Sequence, residues 1–89
     1  MSIKLIVDES LLNYTERSLS TFVIGKTVGQ CLEELVQQQP SLKESIFDES
    51  GNIQSINLIV INGHLIYPNE KVTAVNDGDE IIIHKHSGG

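Results

Sequence analysis

The sequence predicts an α+β domain in which one main helix packs on a mixed four- to five-stranded sheet. Three observations carry that expectation. Only Val28 to Val36 repeats apolar residues at helical spacing. Several short runs rich in Ile, Val and Leu are separated by turn residues, and Asn62-Gly63 lies between two of them. The last run, Ile81-Ile82-Ile83, is unbroken between a Gly78-Asp79 turn and His84, which suits a strand covered on both faces.

In chain order, Ser2 to Val7 alternates as a strand, with Ile3, Leu5 and Val7 on one side and Lys4 and Ile6 on the other. Asp8 to Ser18 is polar and has no period, so it reads as a loop that Tyr14 would anchor. Leu19 to Ile24 is a second strand by its Thr, Phe, Val and Ile content. Its inward side is left open between Val23 and the pair Phe22 and Ile24. Thr27 and Gln30 fit a capping box, and Val28, Cys31, Leu32, Leu35 and Val36 then form one apolar stripe up to the stop at Pro40. Leu42 to Phe47 reads as a short helical turn, with Ile46 and Phe47 closing one end of the core. The turn cluster 48–52 follows. Ile56 to Ile61 is the strongest strand of the middle, and Asn62-Gly63 predicts a type I′ turn into His64 to Tyr67. Pro68 to Asp77 is a connection that contributes Val72 and Val75. The expected order is β-β-α-β-β-β. The first two strands pair as an antiparallel hairpin, the helix crossover returns the chain parallel to the first strand, and the last strand is central.

A chain of 89 residues makes one small domain, with room for one sheet and one helix but not for a deep catalytic cleft. Aromatics are only 4% of the residues, so the core must be built from Ile, Leu and Val. The net charge of −6 speaks against nucleic acid and anionic membrane surfaces and favours protein partners with basic grooves. No apolar stretch exceeds the four residues Leu58 to Ile61, so neither a signal peptide nor a membrane span is expected. The single Cys31 cannot form an internal disulfide, and the chain reads as cytoplasmic.

The end of the chain is chemically distinct. Two glycines carry a carboxylate with no side chain near it, able to enter a channel where any Cβ would clash. Such an end suits a substrate rather than a catalyst. Together with Thr27-Val28-Gly29 at the helix start, Val60-Ile61-Asn62-Gly63 at the hairpin and Asp77-Gly78-Asp79-Glu80 before the last strand, it resembles the ThiS/MoaD family of β-grasp, ubiquitin-like sulfur carriers. The resemblance spans nearly the whole chain. It implies a β-grasp domain over residues 1–86 and a flexible C-terminal Gly-Gly tail over 87–89.

The chemistry implied by that family is acyl activation. An ATP-dependent activating enzyme of the MoeB/ThiF kind would adenylate the Gly89 carboxylate, and sulfur would then displace AMP to leave a thiocarboxylate. Gly88 and Gly89 would carry the chemistry, and Ser87 the approach. The thiocarboxylate would deliver sulfur inside a sulfur-accepting synthase. The chain would be a protein co-substrate, binding no cofactor itself, with ATP used by its activating enzyme. Length and the segment from Leu42 to Asn52 are closer to MoaD-type chains, the small subunit of molybdopterin synthase, than to the shorter ThiS type. Two features depart from the family pattern. His84, Lys85, His86 and Ser87 stand where apolar residues are usual, and the spacing from Gly-Asp to Gly-Gly is one residue short. A second class is a ubiquitin-like modifier joined through Gly89 to lysines, and a third is a β-grasp binding module without tail chemistry.

Other candidate residues have structural readings. Cys31 lies on the apolar helix stripe and is expected as a core thiol. His84 and His86 share one side of a strand, but no third ligand stands at useful spacing, so no metal site is expected. Asn62-Gly63 is read as a turn former. If Ile59 and Ile61 face the helix, Leu58 and Val60 face the open side with Ile6, joined by Ile82 or Phe22. That is more apolar surface than a monomer needs, and it marks Leu58, Val60 and Ile6 as candidate partner-binding residues.

Overall fold

The structure is a computed structural model that describes residues 2–12, 17–67 and 69–85. Five strands form one sheet: β1 (Ile3–Val7), β2 (Leu19–Val23), β3 (Asn57–Ile61), β4 (His64–Ile66) and β5 (Glu80–Lys85). Their spatial order is β2-β1-β5-β3-β4. The helix α1 (Val28–Gln38) lies across one face, and a short α2 (Lys43–Ile46) follows a 3₁₀ turn at Pro40–Leu42.

β5 is central, as the unbroken isoleucines predict, but the crossover differs from the expectation. The strand parallel to β1 is β5, not the strand that follows the helix. β3 is instead antiparallel to β5 and does not pair with β1. The slot beside β1 has buried side chains on both flanks: Ile81 sits between Leu5 and Ile61, and Ile83 between Val7 and Ile59. β5 occupies that slot, which displaces the β3–β4 hairpin one position outward.

The core between helix and sheet is aliphatic. Leu5, Val7, Leu32, Leu35, Ile59, Ile81 and Ile83 are wholly buried, and Ile61 nearly so. The helical stripe supplies Val28, Cys31, Leu32 and Leu35 to this layer, with Val36 at its margin. Thr27 caps α1 by accepting the Gln30 amide at 3.2 Å, and Gln30 Oε1 reaches back to the Lys26 amide at 2.8 Å, one residue before the cap. Pro40 opens the next turn, and Ile46 and the half-buried Phe47 close the end of the core as expected.

Two regions read as loops contain structure. Glu9–Leu12 is a 3₁₀ turn that buries Leu11, and Glu70–Val72 is another beneath α1. Val75 is buried, but Val72 is 70% exposed, because the 3₁₀ turn rotates it outward. The expected anchor Tyr14 lies outside the described residues.

Candidate functional site

The candidate site is the strand that leads to the Gly-Gly end, together with the sheet face around it. Its entry is built by two turns locked together. Gly78 adopts a φ of +90°, where a side chain is disfavoured, and its amide donates to the Ser2 carbonyl at 3.1 Å. Asp79 then accepts from the Asn76 amide at 2.8 Å and from Asn62 Nδ2 at 3.0 Å. These bonds, the Asn76 amide first, hold the Asp79 carboxyl below its ordinary value. Asn62 Oδ1 in turn accepts the Glu80 amide at 2.9 Å. Asn62 and Gly63 both have positive φ, at 50° and 85°, as a type I′ turn requires. The Asn62 side chain therefore does more than form a turn: it ties the β3–β4 hairpin to the first residue of β5. An Asn at this turn position has both a donor and an acceptor free, which was the available sequence signal.

The exit end of β5 is also held. Asp8 donates its amide to the Ile83 carbonyl at 2.9 Å, and the Lys85 amide donates to Ser10 Oγ at 2.9 Å. The Ser10 amide donates to Asp8 Oδ2 at 3.0 Å. That bond, then the Ser10 hydroxyl, lower the Asp8 carboxyl from its ordinary value, with burial opposing and His84 assisting. Neither Asp8 nor Ser10 stands out in the sequence, because nothing local distinguishes them from other polar loop residues. The expected reactive residues, Gly89 and Gly88 with Ser87, lie outside the described residues, as does His86.

The face opposite α1 carries a continuous apolar row. Strand register places Ile6 beside Ile82, Ile82 beside Val60 and Val60 beside Leu65. Leu58 is one step along β3 and pairs with His84. Ile6, Leu58, Val60 and Ile82 are half-buried, while Leu65 is 59% exposed. Phe22 joins this face from β2, paired with Lys4 and 64% exposed. The open parity of β2 is thereby settled: Val23 points into the core and Phe22 out. Leu65 was the member missed, since a three-residue strand has too little alternation to assign a side.

Cys31 is fully buried, and burial, with Glu34 adding to it, pushes its thiol up, away from the reactive thiolate form. Among the described residues no group of three His, Cys, Asp or Glu side chains is placed to hold a metal ion, and no helix is long and apolar enough to cross a membrane.

Comparison with known proteins gives a consistent picture of the fold. No protein-family model and no curated protein matches the sequence. Solved structures do match along almost the whole chain. Small archaeal modifier protein 1 (SAMP1) of Haloferax volcanii aligns with a TM-score of 0.78 at 24% identity, over 100% of this chain and 99% of that one. The fold is the ubiquitin-like β-grasp. It is the fold expected from the resemblance to the ThiS/MoaD sulfur carriers. The same β-grasp is found in the Amycolatopsis orientalis BexX/CysO complex, with a TM-score of 0.77 at 18% identity over 98% of both chains. It is found again in the complex of subunits 1 and 2 of the Helicobacter pylori molybdopterin-converting factor, with a TM-score of 0.62 at 22% identity over 100% of this chain and 99% of that one.

Proposed function

We propose that this chain is a sulfur carrier, a protein co-substrate whose Gly89 carboxylate is activated and converted to a thiocarboxylate. The observation that carries the proposal is the end-to-end match of the β-grasp, with Gly88-Gly89 separated in sequence by His86 and Ser87 from the last strand, which is at the sheet centre. A carboxylate is a poor electrophile. Attack of Gly89 on the α-phosphorus of ATP, within a MoeB/ThiF-like activating enzyme, releases pyrophosphate and leaves an acyl adenylate. Hydrosulfide-equivalent sulfur then attacks the acyl carbon, and AMP leaves. The chain contributes position rather than catalysis: a strand laddered on both sides aims the end, and the apolar row Ile6, Ile82, Val60 and Leu65, with Leu58, offers the docking surface. The need for ATP is consistent with a cytoplasmic reaction.

Among acceptors, the MoaD-like role as small subunit of molybdopterin synthase is the first to test, and the full-length alignment with the converting-factor chain supports it. A second reading, a modifier joined to lysines through Gly89, is favoured by the name of SAMP1. In the test, the intact protein is incubated with a MoeB/ThiF-like enzyme, ATP and a sulfide donor. Its mass should rise by the difference between sulfur and oxygen. Isopeptide-linked adducts without that product would favour the modifier, and absence of any adenylate would sink both.

A further inference from the structure

β5 outruns its parallel neighbour. β1 stops at Val7, opposite Ile83, because the chain turns at Asp8 into the 3₁₀ segment Glu9–Leu12. In a parallel ladder the Asp8 amide bonds the Ile83 carbonyl, as it does here, and the Lys85 amide would next bond the Asp8 carbonyl. That carbonyl already accepts the Leu11 amide at 3.0 Å. The Lys85 amide is met instead by Ser10 Oγ at 2.9 Å. Ser10 is only 8% exposed, so the bond is shielded from competing water. Its own amide donates to Asp8 Oδ2 at 3.0 Å, which ties Ser10 to the turn that ends β1. The hydroxyl oxygen has lone pairs with which to accept the Lys85 amide. On its other side Lys85 pairs with Asn57 of β3.

We propose that Ser10, oriented by Asp8, is a positioning residue that continues the β5 ladder to Lys85 and so sets the point from which Gly89 reaches its activating enzyme. The proposal rests on the carrier reading. Four residues follow Lys85, the last being Gly89, an extended span of at most about 14 Å. Every residue released from the ladder lengthens that span and spreads the carboxylate over more positions. A misplacement of about 1 Å can lower the rate of a positioned reaction on the order of a hundredfold.

The test uses the full chain with Ser10→Ala and Ser10→Thr, read by amide hydrogen exchange and by ATP–pyrophosphate exchange with the MoeB/ThiF-like enzyme. In Ser10→Ala the Lys85 amide should exchange about tenfold faster, while the amides of Ile81 to Ile83 keep their parent rates. Adenylation should lose on the order of tenfold in kcat with KM little changed, because docking uses the sheet face rather than Ser10. Ser10→Thr, which keeps the hydroxyl, should restore both. Unchanged Lys85 exchange would overturn the clamp. Faster exchange with unchanged kcat would overturn its positioning role. If the unmutated chain forms no adenylate, the positioning role falls with the carrier reading, and the exchange rates alone decide whether Ser10 holds Lys85.

Discussion

Gly29 sits where the first turn of α1 presses on the 3₁₀ turn Glu70–Val72, and a Cβ there would lie 2.8 Å from the Lys71 carbonyl oxygen. Lys71 cannot readily retreat, because its Nζ donates to the Gly51 carbonyl at 2.8 Å. Alanine in a helix is worth up to about 1 kcal/mol over glycine. Overpacking against backbone is the larger effect, so Gly29→Ala should destabilise by roughly 1–3 kcal/mol. A denaturation midpoint above the parent's would show that the 3₁₀ turn gives way. Asp8 makes a pH-dependent contribution whose sign follows from its lowered carboxyl. The stabilisation is fully present above the ordinary value near 3.8 and is lost as pH falls through the lower folded value. Asp8→Asn should remove that component and flatten the acid limb of the stability curve. Solvent screening keeps the effect below about 1 kcal/mol. Parallel acid limbs for parent and variant would contradict this.

The elements separate two kinds of apolar residue. Leu35 on α1 is wholly buried against the sheet, and Leu35→Ala should cost roughly 2–5 kcal/mol. Val60 on β3 faces the other way, half-buried between Ile82 and Leu65. A charge there meets neither the helix nor the core, so Val60→Asp should leave the fold intact while weakening binding to the activating or accepting enzyme about tenfold or more. Thermal melts and calorimetry together decide the point. Unchanged affinity for both enzymes would make the row a structural feature only, and an unchanged midpoint for Leu35→Ala would contradict the helix face.

At the scale of the molecule, the radius of gyration of 11.8 Å is near the ~12 Å of a compact chain of this length. Among the described residues the buried hydrophobic set contains no aromatic, so the core closes by close aliphatic packing. Removing Gly89 touches none of this. It retracts the terminal carboxylate by at most about 3.6 Å. The truncated chain should melt like the parent yet form neither adenylate nor thiocarboxylate under conditions where the full chain does. Thiocarboxylation at the parent's rate would remove the basis for assigning the chemistry to Gly89.

The helix with its inward stripe, the Asn-Gly hairpin and the central last strand were all legible in the sequence. Each follows from a local rule: a 3.6-residue period, two positive-φ residues, or an apolar run too continuous to face water. The open side of the sheet was legible too at Leu58, Val60 and Ile6, because fixing one side of a strand fixes the other. What needed the tertiary structure was the choice among partners. β3 lies antiparallel to β5 because β5 takes the slot beside β1, and no single strand encodes that competition. The bonds at the two ends of β5 join residues 17 and 75 positions apart, Asn62 to Asp79 and Ser10 to Lys85. A hydrogen bond across such a separation is defined only once the sheet has brought its donor and acceptor within 3 Å, and residue type alone carries no trace of it.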